Sequence, residues 1–431
     1  MSSSLTGSST GSQVLAGELG REGSAQSVMA PISYSGAPSA SSVASLRIDP
    51  ASGQLSMSNS MRMMRRSETK AGSIDDGMLH VGKGGGGGGS SLGHSHGASS
   101  RSSVFSQESS LPSIMSKITH KIEDWLAEAP PMPDVQSDLD ELVERLVISK
   151  ESKTRTFCLD QREIMSVCSM AKKALLADPS LLALAAPVKI VGNLNGHYND
   201  LLGIITACGV PANTSYLFLG GYVSHGVRSL ETICLLLCYK VKYPNTFFLL
   251  RGSEETPGAT KTGGFLDECK KRASMTVWRE LISVFDCMPL AAVIKKKVRG
   301  LSPSLNRIED ISNIQRPYMF EHTGIVADLL FSQPDEVDNA ELAWTDSKTG
   351  IGYEFNTRVL HSFLNYNSFD LMVRSKQLVQ HGFEFWGKQR LVSIFSASQF
   401  CGRHDNDGAV LEVDAHLKCS FTVIESVERK Q

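Results

Sequence analysis

The chain has 431 residues, a formal net charge of −2 and nine cysteines. This charge argues against a nucleic-acid-binding protein, which would show a basic excess. The cysteines lie between Cys158 and Cys419 at irregular spacings and are odd in number, which favours scattered thiols of a reducing compartment over a disulfide framework. The N-terminus has no signal-peptide pattern, and no apolar run reaches the about 18 residues of a membrane span. We therefore expect a cytoplasmic or nuclear protein, or both, that binds neither nucleic acid nor membranes.

The first part of the chain differs in composition from the rest. It is rich in Ser and Gly, including the unbroken glycine run Gly84 to Gly89. Such a composition cannot bury enough apolar surface to fold, so we expect it to be disordered. Further on, Ile118, Ile122 and Trp125 have helical spacing and prolines follow them. These features predict four segments: a disordered leader at 1–112, a short amphipathic helix with a Pro-rich linker at 113–133, a domain at 134–427 and a tail at 428–431.

Three short apolar runs in the domain each end in a glycine-containing loop, and helical stretches separate them. The runs are 188–191, 216–219 and 247–250. This alternation predicts a βαβαβ unit with a buried parallel sheet. Functional loops of such sheets lie at the carboxyl ends of the strands. The chemistry is therefore expected in the loops that directly follow the three runs.

The last part of the chain has further strand-like runs: 369–373, 391–397, 409–413 and 417–424. We expect these runs to form a second sheet. The two sheets together predict an α/β fold, a β-sandwich flanked by helices behind a disordered N-terminal leader.

The loops and the segments around them resemble the serine/threonine phosphoprotein phosphatases, and type-1 catalytic subunits in particular. The resemblance runs from about Val135 to Glu425. The segments closest to the family pattern are Tyr216–Gly220, Ser229–Leu237, Phe247–Gly252, Asp267–Arg272 and Gly300–Leu305. The resemblance implies the calcineurin-like metallophosphoesterase fold.

The family's chemistry is metal-assisted hydrolysis, in which two divalent cations such as Mn, Fe or Zn activate a bridging water. The resemblance implies ligands from the loops G-D-x-H-G, G-D-Y-V-D-R-G and G-N-H-E and from two later histidines. At the matching positions this chain carries other residues, and one of the later histidines has no counterpart. The degenerate positions are Asn193 and Asn195 in the first loop, Gly221, Ser224 and His225 in the second, Ser253 and Glu254 in the third, Thr349 for a phosphate-gripping arginine, Lys376 for the other histidine and Phe400 for a tyrosine at the rim.

These replacements predict that the chain has no catalytic residue, no metal ligand and no cofactor. Lys376 would bring an ammonium group where the family holds a cation, and it would repel a metal. We predict that Lys376 pairs with Glu254, because an unpaired buried charge is costly. The prediction is a pseudophosphatase. The alternative is a divergent metal-dependent serine/threonine phosphatase with weak or rewired activity, which would recruit His197, Asp200 and Glu255 as new ligands.

Type-1 phosphatases bind regulators in an apolar groove, where a peptide of the form basic-Val-x-Phe adds as an extra strand. The resemblance places the following residues in this groove, with family-like identities: Asp370, Leu371, Phe385, Leu417, Cys419 and Phe421. We expect the protein to act by protein–protein interaction, with regulatory proteins that carry such a peptide as partners and phosphoproteins as a second class. The alternative is that these apolar side chains are simply sheet core. The leader's Ser103-Val104-Phe105 lacks the residue between Val and Phe, so it does not support self-docking.

Overall fold

The structure is a computed structural model that describes residues 42–48, 55–57, 135–149, 157–298, 301–338 and 341–425. The predicted helix and linker at 113–133, the tail at 428–431 and most of the leader lie outside these residues. None of the helices in the described part is both long and apolar enough to cross a membrane.

Several helices begin where the sequence supplies a capping side chain. Asp160 accepts a hydrogen bond from the Glu163 N–H while the Glu163 side chain accepts from the Asp160 N–H, so the two form a capping box. Ser274 and Asn356 cap two later helices in the simpler way, each with its side-chain oxygen. The helices of the described part are α1 (Val135–Ile148), α2 (Gln161–Ala177), α3 (Tyr198–Cys208), α4 (Ser229–Lys242), α5 (Pro257–Thr262), α6 (Phe265–Arg272), α7 (Met275–Phe285), α8 (Ile325–Phe331) and α9 (Thr357–Tyr366), with short 3-10 helices at Ile308–Asn313 and Phe400–Gly402.

The strands are short and rich in β-branched and aromatic residues, as expected for buried sheets. In chain order they are β1 (Ser42–Ile48), β2 (Leu55–Met57), β3 (Leu181–Leu184), β4 (Val188–Val191), β5 (Tyr216–Phe218), β6 (Phe247–Leu249), β7 (Ala291–Ile294), β8 (Lys297–Val298), β9 (Gln333–Pro334), β10 (Trp344–Asp346), β11 (Tyr353–Phe355), β12 (Leu371–Arg374), β13 (Phe383–Trp386), β14 (Leu391–Ile394), β15 (Gly408–Val413) and β16 (Cys419–Ile424).

The larger sheet of the described part has seven strands in the order β2-β1-β16-β15-β4-β5-β6. β4, β5 and β6 are parallel, and α3 and α4 connect them, so the predicted βαβαβ unit is confirmed. β15 is antiparallel to β4, and β16 is antiparallel to β15. The carboxyl ends of the three parallel strands therefore lie together at one edge of this sheet.

The other large sheet has six strands in the described part, in the order β13-β14-β12-β8-β7-β3. The expectation that all four late runs form the second sheet is wrong for two of them. β12 and β14 belong to it, whereas β15 and β16 complete the first sheet. The sequence of a strand specifies which faces are buried but not which distant strand it pairs with.

The two sheets pack face to face. Ile190 and Leu411 of the first sheet share one buried cluster with Val373 and Val392 of the second. Such a shared core is the arrangement of a β-sandwich. At one end the sheets nearly touch, because Asn193 and Phe395 form an isolated parallel bridge.

The leader contributes two strands that its composition does not predict. β1 pairs with β16, and β2 pairs with β1. Strand addition to a sheet edge depends on backbone groups, so a segment of weak hydrophobic pattern can form it.

Candidate functional site

The loops after β4 and β5 are held against each other by backbone hydrogen bonds. The N–H groups of Leu194 and Asn195 both donate to the Gly221 carbonyl, at 2.8 and 2.7 Å. The Asn193 side chain then joins these loops to the loop after β12, because its Oδ1 accepts from the Lys376 N–H at 2.9 Å. The predicted loops therefore do converge at one end of the sandwich.

These loops enclose a small cavity with a volume of about 30 Å³. Its wall carries amide, hydroxyl and cationic groups, and its remaining lining residues are glycine or apolar. Among the described residues, no carboxylate and no imidazole lines it. The polar lining residues are Asn193, Ser253, Ser332, Arg374, Ser375 and Lys376.

Asn193 fills the space above Gly221. A β-carbon added at Gly221 would lie 2.3 Å from the Asn193 Cγ, and the Gly221 φ of 73° also disfavours a side chain. A carboxylate at position 221 and the amide of Asn193 therefore cannot occupy this arrangement together. The absence of a side chain at Gly221 and the amide of Asn193 are therefore sterically matched.

Lys376 does not form the ion pair predicted for it. Its Nζ donates to the Phe331 carbonyl at 3.2 Å and lies 4.9 Å from the centroid of the Phe331 ring. The Glu254 carboxylate lies instead 3.7 Å from His225 Nε2, and this contact raises the pKa of His225. The prediction was wrong because the chain next to the cavity offers Lys376 a carbonyl and an aromatic face, which satisfy an ammonium group without a counter-charge.

Burial is the main cause of a low pKa at Lys376. It lowers the pKa from 10.5 to about 8, with a smaller effect of the same sign from Arg374 and an opposite effect from Glu254. The ammonium form therefore prevails at neutral pH, although it is held in a site that disfavours charge. The cavity is electropositive.

Glu255 is buried beside the cavity, but its oxygens are already occupied. They accept the backbone N–H groups of Gly221 and Tyr222, each at 2.8 Å, and of Gly252 at 3.0 Å. Burial raises the pKa of Glu255 from 4.5 to about 7, against the effect of these three hydrogen bonds. Glu255 thus ties the second loop to the third.

The other two candidate replacement ligands are also engaged elsewhere. Both oxygens of Asp200 accept hydrogen bonds from Ser398, one from its N–H and one from its hydroxyl, each at 2.9 Å. His197 stacks on Phe400 with ring centroids 5.9 Å apart. Across the described part of the chain, no group of three or more His, Cys, Asp or Glu side chains is placed to hold a metal ion.

The remaining degenerate positions lie around the cavity or away from it. Asn195 and Ser224 are buried, and within the described residues the Asn195 Oδ1 and the Ser224 Oγ have no hydrogen-bond partner. Phe400 is half-buried and does not line the cavity; the His225 ring is edge-on to it at 5.7 Å. Thr349 is exposed in a turn, where it hydrogen-bonds Ser347, and it does not line the cavity.

Arg374 and Phe331 shape the site although the sequence analysis did not predict them. Arg374 is nearly buried and presents a second cation to the cavity, and Phe331 supplies the carbonyl and ring that hold Lys376. Arg374 lies two positions before Lys376 in the sequence, so its charge was a usable signal. Nothing in the sequence links position 331 to the site.

The groove residues are mostly brought together. Leu371, Cys419 and Phe421 are buried in the cluster between the sheets, and Phe385 and Leu417 pack against it. The Phe385 ring is edge-on to Phe421, with ring centroids 6.1 Å apart. The sixth residue, Asp370, is at the surface, and its carboxylate lies 3.8 Å from the Lys296 ammonium.

Comparison with known proteins agrees with this architecture. Residues 186–375 match the family described as calcineurin-like phosphoesterase, and residues 139–185 match the serine-threonine protein phosphatase N-terminal domain. A solved structure of a protein serine/threonine phosphatase from Saccharomyces cerevisiae, with similarity to human phosphatase PP5, is 26% identical. The match covers 69% of this chain and 98% of that chain, with a TM-score of 0.60.

A second solved structure is more distant. It is the cold-active protein-tyrosine phosphatase of a psychrophilic Shewanella species, which is 9% identical over 58% of this chain and 82% of that chain, with a TM-score of 0.42. This likeness is too weak to support an argument. The family matches and the yeast structure, together with the two-sheet architecture, lead to one conclusion: the chain has the metallophosphoesterase fold and carries a calcineurin-like phosphoesterase domain behind a serine/threonine protein phosphatase N-terminal domain.

Proposed function

We propose that this chain is a catalytically inactive counterpart of the type-1 protein phosphatases and that it acts by binding other proteins. The observation that carries the proposal is the chemistry of the cavity wall. Where a dinuclear phosphatase needs anionic and imidazole donors, the wall has amide and hydroxyl groups and the cations Arg374 and Lys376.

The residues present do not fit a pair of divalent cations. Such a pair, about 3.5–4 Å apart, requires several carboxylate or imidazole ligands. The Lys376 ammonium adds electrostatic repulsion to this lack of donors.

The alternative of a rewired enzyme receives no support from the contacts of its candidate ligands. The carboxylate oxygens of Glu255 and Asp200 accept hydrogen bonds from neighbouring N–H and O–H groups, and His197 stacks on Phe400. Recruiting them would break these interactions, and a buried donor left without a partner costs about 1–3 kcal/mol.

The proposed binding surface is the apolar groove around Phe385 and Phe421. Regulatory proteins with a basic-Val-x-Phe peptide are the proposed partners, and phosphoproteins are a second class. Support comes from the aromatic contact between these two residues and from the position of Phe421 on β16, a strand that pairs with the leader strand β1 on the side away from β15. We also propose a cytoplasmic or nuclear location, a proposal supported by the nine cysteines, which are all free thiols.

The test of inactivity combines metal content with hydrolysis. The full-length protein is incubated with Mn²⁺, desalted and measured by elemental mass spectrometry, and then assayed on an aryl phosphate and on a phosphoserine peptide. An active phosphatase of the same fold is treated in parallel. We expect well below one equivalent of metal and no turnover above the buffer rate.

A matched variant separates charge repulsion from the missing donors. Lys376→Met removes the ammonium group without adding a ligand, so it should remain free of metal and inactive. About two equivalents of bound metal together with hydrolysis by the wild type would refute the proposal in favour of a divergent phosphatase.

A further inference from the structure

β16 is the strand at which the first sheet of the domain ends. Among the described residues of 135–425, it pairs on one side only, with β15. The opposite side of such a strand presents a row of backbone N–H and C=O groups, which is a template for a further strand. The question is what occupies this edge.

The leader occupies it. The first half of β1 pairs antiparallel with β16, and the second half pairs antiparallel with β2, so β1 and β2 form a hairpin whose first strand lies along the edge. The register places Ala44 opposite Phe421 and Val43 opposite Thr422. The pairing joins residues that lie more than 370 positions apart in the chain.

This edge belongs to the same strand that carries two of the groove residues, Cys419 and Phe421. A peptide that docks by strand addition needs the free N–H and C=O groups of that strand, because main-chain hydrogen bonds supply its affinity. One edge accepts one strand at a time. The hairpin and a docking peptide therefore exclude each other.

We propose that the hairpin of β1 and β2 is an intramolecular competitor for the β16 edge, so that the chain covers its own docking groove until a partner's extended peptide displaces the hairpin. The inference rests on the proposed docking function. It gives the leader a regulatory role, because any event that removes the hairpin from β16 exposes the groove.

The strength of the effect follows from the fraction of molecules with a free edge. The apparent dissociation constant of a peptide equals its intrinsic constant divided by that fraction. If the hairpin covers the edge in about nine molecules of ten, removing it tightens peptide binding about tenfold.

The experiment uses the full-length chain and two replacements of equal length by Gly/Ser sequence. One replaces residues 42–57, and the control replaces residues 84–99 of the same leader. Hydrogen exchange by mass spectrometry follows the amides of β16, and fluorescence anisotropy follows a labelled synthetic basic-Val-x-Phe peptide. Circular dichroism verifies that the domain of each variant stays folded.

We expect faster exchange in β16 for the 42–57 replacement, confined to about half of its amides because the others bond to β15. We also expect peptide binding about tenfold tighter than in the wild type and the control. Unchanged exchange, or faster exchange with unchanged affinity, would overturn the inference and leave the docking function standing. Failure of the peptide to bind any of the three proteins would instead overturn docking at this groove, and the inference with it.

Discussion

The buried ammonium of Lys376 gives the sharpest quantitative prediction. Its pKa of about 8 in the folded protein lies below the 10.5 of the unconstrained side chain. Each unit of difference corresponds to about 1.36 kcal/mol, so burying the charged form costs about 3 kcal/mol at neutral pH. Lys376→Met keeps an unbranched side chain against the Phe331 ring and removes this cost.

The sign of the pH dependence follows from proton binding. Below pH 8 the side chain is charged in both states and the full cost is present. Between pH 8 and 10.5 the unfolded chain binds more protons than the folded one, so the wild type gains stability as pH rises. From pH 7 to 9.5 this gain amounts to about 2 kcal/mol relative to the Met variant.

Urea unfolding of both proteins at pH 7, 8 and 9.5 under reducing conditions measures this difference. The stability of the wild type minus that of the variant should rise by about 2 kcal/mol over the range. Lys271→Met, which removes an exposed lysine of α6, should show no such change. A difference that stays constant with pH for Lys376→Met would refute the assignment of a buried, destabilising ammonium to the cavity.

Three further substitutions test the loops, the sandwich and the groove. Glu255→Gln should cost about 1–3 kcal/mol in urea unfolding at pH 5, because its amide N–H₂ group meets a backbone N–H. The pKa of Glu255 in the folded protein, about 7, exceeds its ordinary value of 4.5, so the wild type loses stability as this acid ionises and the variant does not. The difference in free energy of unfolding between the two proteins should therefore narrow by pH 7.5. A difference that widens would contradict the reasoning. Gly192→Ala places a β-carbon 2.2 Å from the Ile394 carbonyl oxygen and should lower the melting temperature sharply. Gly258→Ala is the control, because its β-carbon meets nothing within 4 Å and should leave the melting temperature unchanged. Equal melting temperatures of the two variants would contradict this prediction. In the protein whose residues 42–57 are replaced, Phe385→Ala should weaken peptide binding about tenfold, because interface aromatics commonly contribute at least about 1.4 kcal/mol. Equal binding with and without this substitution would argue against the groove.

Local patterns in the sequence were enough to predict the parallel core of the fold. The runs at 188–191, 216–219 and 247–250 are short, apolar and followed by glycine-containing loops, and the structure makes each of them a parallel strand of one mixed sheet. The site loops were predicted for the same reason, since the carboxyl ends of neighbouring parallel strands must meet. Residue identity alone also predicted which donors of the family are replaced, because the chemical class of a side chain does not depend on its surroundings.

Features that depend on contacts between residues far apart in the sequence could not be predicted. Lys376 pairs with a carbonyl on α8 rather than with Glu254, because only the folded chain brings Phe331 next to it. β15 and β16 joined the first sheet although their sequences suit either sheet, since backbone pairing is nearly blind to side chains. For the same reason the leader strand was missed: its hydrogen bonds to β16 come from the backbone, and only the tertiary structure decides which open edge a weakly patterned segment meets.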